Sequence, residues 1–254
     1  MTPEPSQAPY PAHREADVVL RDGSTIRVRP VLPEDRDRVR AHLERLSPES
    51  RILRFFTAAA NLDWVADRLT AVDYGERSGL VATVGADGRV VAHAAYLWSG
   101  QDRAEIAFAI ADELQGKGLG TILLGQLAEM AQEQGIKLFE ADVLPQNHRM
   151  IEVFRESGFP VSTRSEPGVI KIESPTLLTE QGLERFERRE QIAAAAAMRS
   201  FLSPRSVAVI GAWRSRGGIA GEVFHNLVSA GFNGPVYPVK PKSEVVQSVL
   251  AFPR

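Results

Sequence analysis

Residues 113–130, ELQGKGLGTILLGQLAEM, place Gly116, Gly118 and Gly120 directly before an apolar run with helical spacing. The first turn of a helix carries free backbone N–H groups and a partial positive charge, and both features favour a bound phosphate. Glycines allow the backbone to approach a ligand and to adopt positive φ. The stretch therefore predicts a phosphate-binding turn, with tight packing of a strand against a helix as the plainer alternative.

Two common nucleotide-binding motifs do not fit this turn. A Walker loop is excluded because no Gly-Lys-Ser/Thr stands at the required spacing. The dinucleotide-binding fingerprint is excluded because the glycines repeat as Gly-x-Gly-x-Gly, after a strand that comes late in its domain.

The chain up to residue 174 alternates between strand and helix signals. Hairpins are predicted around Asp22-Gly23 and Asp87-Gly88, and Ser47 followed by Pro48 marks a helix start. This order indicates an α/β protein with a mixed sheet covered by helices. Helices are predicted over residues 32–46, 49–56, 61–72, 119–134 and 147–158, and the later strands over residues 104–110, 137–144 and 169–174.

The stretch QGKGLG at residues 115–120 matches the Q/R-x-x-G-x-G/A signature, and the chain thereby resembles the GCN5-related N-acetyltransferases (GNAT family). The strand AEIAFAI at residues 104–110 is similar to the central strand of that family. LPQNHRMIEVFRESGF at residues 144–159 is similar to its asparagine-bearing helix, in the same order and spacing. The resemblance covers roughly residues 17–174 and implies the GNAT fold, with acetyl-CoA as cosubstrate.

A carboxylate stands out on the apolar strand, where alternation places Glu105, Ala107 and Ala109 on one face. Lysine has a pKa of about 10.4, so an amine that attacks a thioester at neutral pH needs a general base. Burial raises the pKa of a carboxyl and would suit Glu105 to this role. The position also matches the glutamate base of protein acetyltransferases in the family. Glu140 is the rival base, and an edge glutamate directed to water is the structural alternative.

The resemblance also implies the residues that hold the cofactor. The backbone of Phe108 and Ile110 would contact the pantetheine arm, and one of their N–H groups would face the thioester oxygen. Asn147 would contact coenzyme A or cap its helix. Phe154 stands where many relatives carry a tyrosine general acid, so the thiolate must leave unassisted or through water. The full set is Phe108, Ala109, Ile110, Gln115, Gly116, Lys117, Gly118, Leu119, Gly120, Thr121, Asn147 and Phe154.

Composition excludes several other classes. A net charge of -2 over 254 residues gives no electrostatic footprint for nucleic acid. No apolar run is long enough for a membrane span, and residues 1–17 lack the pattern of a secretion signal, so a cytoplasmic location is expected. The absence of cysteine excludes a thiolate metal site and favours direct transfer in a ternary complex. The five histidines lack ligand spacing, and no metal is expected.

Domain boundaries follow from changes in composition. We expect a disordered, Pro-rich leader over residues 1–15, the acetyltransferase domain over 16–178 and a linker helix over 179–200. Residues 201–254 resemble the start of the coenzyme A-binding domain of NDP-forming acyl-CoA synthetases, a partial Rossmann-like βαβ segment. We interpret this segment as truncated, and Trp213 departs from the usual Gly-Ala-Ser turn, which argues against coenzyme A binding there.

The amine acceptor is indicated by resemblance alone. The run LSPESRILRFF at residues 46–56 is similar to the front end of Pat-type bacterial protein lysine acetyltransferases, whose usual targets are acyl-CoA synthetases. The expected partner is therefore a protein substrate of that kind. A small amine or antibiotic as acceptor, or a non-catalytic acyl-CoA sensor, are the alternatives, because fold alone does not choose among them.

Overall fold

The structure, a computed structural model, describes residues 8–212, 218–240 and 244–252. The chain forms two compact units, Met1–Ala194 and Ala195–Arg254. The first unit is built on an eight-stranded mixed sheet with helices on both faces, which confirms the predicted α/β fold.

The elements of the first unit are close to those predicted. Its helices are α1 (Arg36–Arg45), α2 (Pro48–Phe55), α3 (Leu62–Thr70), α4 (Leu119–Glu133) and α5 (His148–Glu156), followed by α6 (Glu180–Leu202), which begins in this unit. Its strands are β1 (Ala16–Val19), β2 (Thr25–Pro30), β3 (Arg77–Val84), β4 (Arg89–Gly100), β5 (Arg103–Ile110), β6 (Leu138–Val143), β7 (Ser162–Glu166) and β8 (Val169–Pro175).

The strand order is β1-β2-β3-β4-β5-β6-β8-β7. Within the described sheet only β5 and β6 pair in parallel, and α4 connects them. A parallel pair requires such a crossover. Among the antiparallel pairs, β1–β2, β3–β4, β4–β5 and β7–β8 are joined by short turns, whereas α1, α2 and α3 lie between β2 and β3. The glycine turn opens α4, so the topology places it at the carboxyl end of β5.

The two faces of the sheet carry separate cores. On one face α4 and α5 bury Leu123, Leu127 and Phe154 against β4, β5 and β6. On the other face α1 and α3 bury Leu43 and Val65 against β3, β4 and β5. Along β5 the side chains alternate, so those of even-numbered residues lie on the face of the first core and those of odd-numbered residues lie on the opposite face.

Part of the predicted leader is ordered. The N–H of Ala8 donates to the carbonyl of Asp73, and the ring of Tyr10 packs edge-on against Tyr74 at a centroid distance of 5.8 Å. The Tyr10 hydroxyl also donates to Glu15. The expectation of disorder is therefore wrong for residues 8–15, because aromatic packing compensates for the proline-rich composition.

The helix α6 contacts the end of α5 through two glycines. A Cβ at Gly158 would lie 2.8 Å from the Cα of Gly182, so no side chain fits between the two backbones. Gly158 also has a φ of 88°, which ends α5 as the sequence predicts.

The second unit contains the predicted βαβ arrangement. The strands β9 (Val207–Ile210) and β10 (Val236–Val239) pair in parallel and are connected through α7 (Ile219–Ser229). A short hairpin, β11 (Val245–Val246) and β12 (Val249–Leu250), follows. The turn around Trp213 lies outside the described residues, so the interpretation of this segment as a partial coenzyme A-binding domain stays a prediction.

Candidate functional site

The strands β5 and β6 separate partway along their length. Their parallel register covers Arg103↔Leu138, Ala104↔Phe139 and Glu105↔Glu140, and the described pairing ends there. Beyond this point β5 continues to Ile110 with its other edge still paired to β4, and β6 continues paired to β8. The facing edges of the two strands therefore form a wedge-shaped gap that opens from Glu105 toward the glycine turn.

The backbone groups that face this gap follow from the ladder on the other side of β5. The N–H of Ala111 donates to the carbonyl of Val91, and Ala109 is in register with His93. Hydrogen-bonded positions alternate along an antiparallel pair. The backbone N–H and C=O groups of the odd-numbered residues of β5 therefore point toward β4. The backbone groups of Phe108 and Ile110 consequently face the gap, as the hypothesis of a backbone contact with the pantetheine arm requires.

The glycine turn has the geometry of an anion site. Gly116 and Gly118 have φ values of 75° and 88°, which L side chains rarely adopt. Gly118 is the N-cap of α4 and no side chain caps the helix. The first N–H to bond within the helix is that of Ile122, to the carbonyl of Gly118. The N–H groups of Leu119, Gly120 and Thr121 are left for a ligand.

The side chain of Gln115 forms hydrogen bonds within the protein, and its contact with the cofactor stays a prediction. Its Nε2 donates to the carbonyl of Ile110 at 3.0 Å and to the hydroxyl of Ser50 at 3.2 Å. Its Oε1 accepts a hydrogen bond from Arg149, which sequence reasoning missed. These contacts occupy both donors and the acceptor of the amide, so Gln115 positions the turn.

The turn is also tied to the helix on the opposite face of the sheet. One oxygen of Asp112 accepts from the hydroxyls of Ser47 and Ser50 at 2.9 and 2.6 Å, and the other accepts from the backbone N–H of Ser47 at 3.0 Å. Ser47 is the N-cap of α2, as predicted, and its own side chain accepts from the N–H of Ser50. Asp112 thus joins the glycine turn to α2, a long-range contact without a local sequence signal.

A third contact comes from the β1–β2 turn. The N–H of Arg21 donates to the carbonyl of Lys117, and the Arg21 side chain lies against Gly118, where an added Cβ would be 3.3 Å from its Cγ. Lys117 forms an ion pair with Asp22 at 3.0 Å, so its charge is partly neutralised. The Lys117 backbone is therefore better placed than its side chain to act in phosphate binding.

The remaining predicted cofactor residues lie around the same turn. Ala109, Leu119 and Thr121 are buried, and Asn147 caps α5 by accepting from the N–H of Met150. Phe154 is enclosed in the core between α4 and the sheet. The structure thus shows the capping role of Asn147, and its contact with a cofactor stays a prediction, as does that of Phe154.

Glu105 lies at the closed end of the gap but is exposed, so the expectation that it is buried is wrong. Its side chain is on the α2 and α3 side of the sheet, where the second core of the described residues includes no residue of β6. The rival base Glu140 accepts from Arg103 at 2.6 Å and from Ser99 at 3.1 Å. In the described part of the chain Glu105 has no such partner, which leaves it the freer of the two carboxylates.

A cavity of about 220 Å³ adjoins Glu105 on this face. The helices α2 and α3 form one wall, with Arg54, Phe55 and Trp64, and the strands β3, β4 and β5 form the floor. This volume is below the ~300–1,000 Å³ typical of sites for drug-sized ligands. The cavity suits a single side chain or a small group.

Two buried histidines each contact a backbone carbonyl, His42 that of Ala109 on β5 and His93 that of Leu69 on α3. The Nε2 of His42 on α1 lies 3.1 Å from the carbonyl of Ala109, and since a carbonyl only accepts, Nε2 carries the proton. The Nε2 of His93 on β4 lies 3.3 Å from the carbonyl of Leu69. Burial lowers the pKa of His42 to about 4 and that of His93 to about 3, with Arg54 also disfavouring the charged form of His93. Both are neutral at physiological pH.

Among the described residues, no group of three or more histidine, aspartate or glutamate side chains is arranged to hold a metal ion. The helices in that part of the chain are also too short or too polar to cross a membrane.

Comparison with known proteins assigns residues 42–159 to the Acetyltransferase (GNAT) family by its sequence model. The crystal structure of the GNAT domain of S. lividans PAT matches with a TM-score of 0.61 at 40% identity, covering 65% of this chain and 99% of that domain. The fold therefore has a counterpart among solved structures at 40% identity.

Two curated relatives carry acetyltransferase names. Acetyltransferase Pat of Mycolicibacterium smegmatis is 34% identical over 158 residues, 61% of this chain and 47% of that protein. An acetyltransferase of Pseudomonas aeruginosa is 35% identical over 124 residues, 46% of this chain and 66% of that protein. The matched region thus spans less than half of the first relative and about two thirds of the second.

Proposed function

The chain belongs to the GNAT acetyltransferase family, and on that premise we propose that it transfers the acetyl group of acetyl-CoA to the ε-amine of a lysine in a protein substrate. The gap between β5 and β6 is the observation that carries this proposal, because it connects an uncapped helix N-terminus with a carboxylate. An acyl-CoA synthetase is the first protein to test as acceptor.

The residues around the gap fit acetyl-CoA. The N–H groups at the start of α4 would hold the pyrophosphate, since they combine free donors with the positive end of the helix dipole. The backbone of Phe108 and Ile110 would hold the pantetheine arm along the gap. The carbonyl of Ile110 already accepts from Gln115, so its N–H is the group that stays free for the ligand.

The acceptor amine would reach the thioester from the cavity beside Glu105. This route places the lysine on the α2 and α3 face of the sheet and the cofactor mainly on the α4 and α5 face. Glu105 lies where both faces meet the end of the β5–β6 pairing. A docked protein would cover Glu105 and exclude water from it, which provides the desolvation that the free enzyme lacks.

The acceptor nitrogen loses two protons, one before it attacks and one as the amide forms. Glu105 takes the proton of the lysine ammonium, directly or through one water, and the neutral nitrogen attacks the thioester carbon. A backbone N–H of Phe108 or Ile110 stabilises the charge that develops on the carbonyl oxygen. The C–S bond then breaks, coenzyme A leaves as a thiolate, and the nitrogen releases its second proton to water as the amide forms. A thiol has a pKa of about 8.5, so departure without a general acid is compatible with Phe154 in place of a tyrosine.

The proposal is tested by acetyl transfer from radiolabelled acetyl-CoA to a purified acyl-CoA synthetase, with a panel of small amines in parallel. We expect label on a lysine of the synthetase. Label on small amines alone would show that the acceptor is a small molecule and not a protein. Bound acetyl-CoA without transfer to any acceptor would instead favour a sensor that binds the cofactor without catalysis.

A further inference from the structure

We propose that the cavity beside Glu105 binds a carboxylate of the substrate next to the target amine, so that the enzyme selects lysines flanked by acidic residues. This inference rests on the proposed function and specifies its substrate class. The observation that carries it is a group of arginines that form no ion pair within the described residues, here called the arginine triad, formed by Arg54, Arg68 and Arg77.

The triad surrounds one cavity from three separate elements. Arg54 is in the last turn of α2, Arg68 is in the last turn of α3, and Arg77 begins β3. Arg54 is half-buried, whereas Arg68 and Arg77 are exposed at the rim. Glu105 is the one carboxylate among the lining residues described, so the lining has a positive excess.

None of the triad forms an ion pair or donates a side-chain hydrogen bond within the described residues, in contrast to arginines nearby. Arg36 on α1 contacts Asp63 and Asp67, and Arg40 contacts Asp63 and Glu44. Guanidinium groups that form no ion pair inside a cavity are suited to an anion from outside, because their planar fork matches a carboxylate.

The helix dipole explains only part of this arrangement. A cation in the last turn of a helix is favoured by the dipole, which accounts for Arg54 and Arg68. It does not account for Arg77, which is on a strand. Burial lowers the pKa of Arg54 to about 10, partly opposed by the negative charge of Glu105. A guanidinium that loses hydration in this way gains most from a second carboxylate.

Aromatic side chains hold two of the guanidiniums in place. The Cζ of Arg54 lies 5.1 Å from the ring centroid of Phe55, and that of Arg68 lies 5.6 Å from the ring centroid of Trp64. A stacked guanidinium keeps its N–H edges free, so the stacking prepares both groups for a carboxylate at a lower entropic cost. The triad would repel a lysine ammonium, so the amine would lie toward Glu105 and the carboxylate toward the triad.

The rim of the cavity favours a protein segment over a free amino acid. Trp64 lines the cavity and is 60% exposed. Nearby in the chain, Ile52 on α2 is 37% exposed and Phe56, the C-cap of α2, is 49% exposed. Phe56 has a φ of 60°, a conformation that is uncommon for an aromatic residue and directs the chain away from α2. Exposed aromatic side chains beside arginines are typical of protein contact surfaces.

The test uses short N-blocked peptides with one central lysine, whose flanking residues are all Glu, all Gln or all Arg. We expect the full-length enzyme to acetylate the Glu peptide with a kcat/KM about tenfold above that of the Gln peptide, and the Arg peptide to be the poorest acceptor. Arg68→Glu and Arg77→Glu change exposed residues and should reverse this order. Arg188→Glu, an exposed residue of α6, is the matched control and should keep the order.

Each outcome distinguishes this inference from the proposed function. Equal acetylation of the three peptides by the unmodified enzyme, or an unchanged order in Arg68→Glu and Arg77→Glu, would overturn the inference and leave the lysine acetyltransferase intact. Faster transfer to free glutamate or aspartate than to every peptide would show that the cavity binds a free amino acid and not a protein segment, which would overturn the inference. Failure to acetylate any peptide or acyl-CoA synthetase would overturn the proposed function and the inference together.

Discussion

Glu105 is the last residue of β5 that pairs with β6, and its partner is Glu140. The two carboxylates are neighbours on one face of the sheet, but only Glu140 is held by Arg103. The positive charge of Arg103 offsets the repulsion between the two carboxylates, which would otherwise destabilise the pairing of the strands. It also gives the two residues different roles, because Glu140 is fixed within the sheet and Glu105 is free beside the gap.

Gly118→Ala should weaken acetyl-CoA binding. An L residue with positive φ costs about 1–2 kcal/mol, and relief of this strain would displace the N–H groups at the start of α4. We expect the dissociation constant to rise about tenfold in calorimetry. Gly88→Ala is the control, because Gly88 also has a positive φ, in the β3–β4 turn with open space around it. Equal binding by both variants would contradict the anion site.

Asp112→Asn should impair use of the acceptor. The substitution removes a negative charge from the N-terminus of α2, which carries Arg54 and Phe55. We expect a stability loss of about 1 kcal/mol, or a Tm lower by about 2–4 °C, and a rise in the acceptor KM. Glu113→Gln changes the adjacent exposed carboxylate and should leave the Tm and the acceptor KM unchanged. A normal acceptor KM in Asp112→Asn would show that α2 is positioned without this contact.

The two buried histidines should make the fold less stable in mild acid. Their folded pKa values, about 4 for His42 and about 3 for His93, are below the unfolded value of about 6.5. Between these values the unfolded chain binds more protons, so stability falls as the pH decreases through 6.5. The loss is about 2 kcal/mol per histidine between pH 7.5 and pH 5.

Urea denaturation across this pH range measures the effect. His42→Gln keeps a donor for the carbonyl of Ala109 but does not titrate, so its stability should depend less steeply on pH. A pH dependence as steep as that of the unmodified chain would mean that His42 is not responsible.

Removal of residues 201–254 should leave acetyl-CoA binding unchanged. The gap, the glycine turn and α5 all lie within the unit Met1–Ala194, which has its own cores. Calorimetry on the shortened and full chains compares the two dissociation constants. Loss of binding in the shortened chain would show that the second unit contributes to the site.

The sequence predicted those features of the fold that depend on residues close together in the chain. The glycine turn, the Ser47 cap and the apolar strand with Glu105 each have a short-range pattern that fixes the conformation. The strand β7 was not predicted, because its residues are polar and mostly exposed and lack hydrophobic alternation. Its pairing with β8 depends on the sheet rather than on its own composition.

The site was less predictable where it depends on distant residues. The contacts of Asp112 with Ser47 and of Arg21 with Gly118 join parts of the chain far apart in sequence. The exposure of Glu105 was the second of two readings, because an apolar strand suggests burial on both faces, whereas the second core of the described residues stops at β5 on that side. Local patterns do not report which part of a sheet its helices leave uncovered.

The assignment of Glu105 as the general base is tested most directly by the turnover of Glu105→Gln at saturating acetyl-CoA and acceptor, with the acetyl-CoA dissociation constant measured on the same preparation. We expect turnover at least tenfold lower, because general base catalysis contributes ~10²–10⁴-fold, and an unchanged dissociation constant. Glu140→Gln should retain most of its turnover, because its carboxylate is bound to Arg103. Full turnover in Glu105→Gln, or equal losses of turnover and binding, would contradict the assignment.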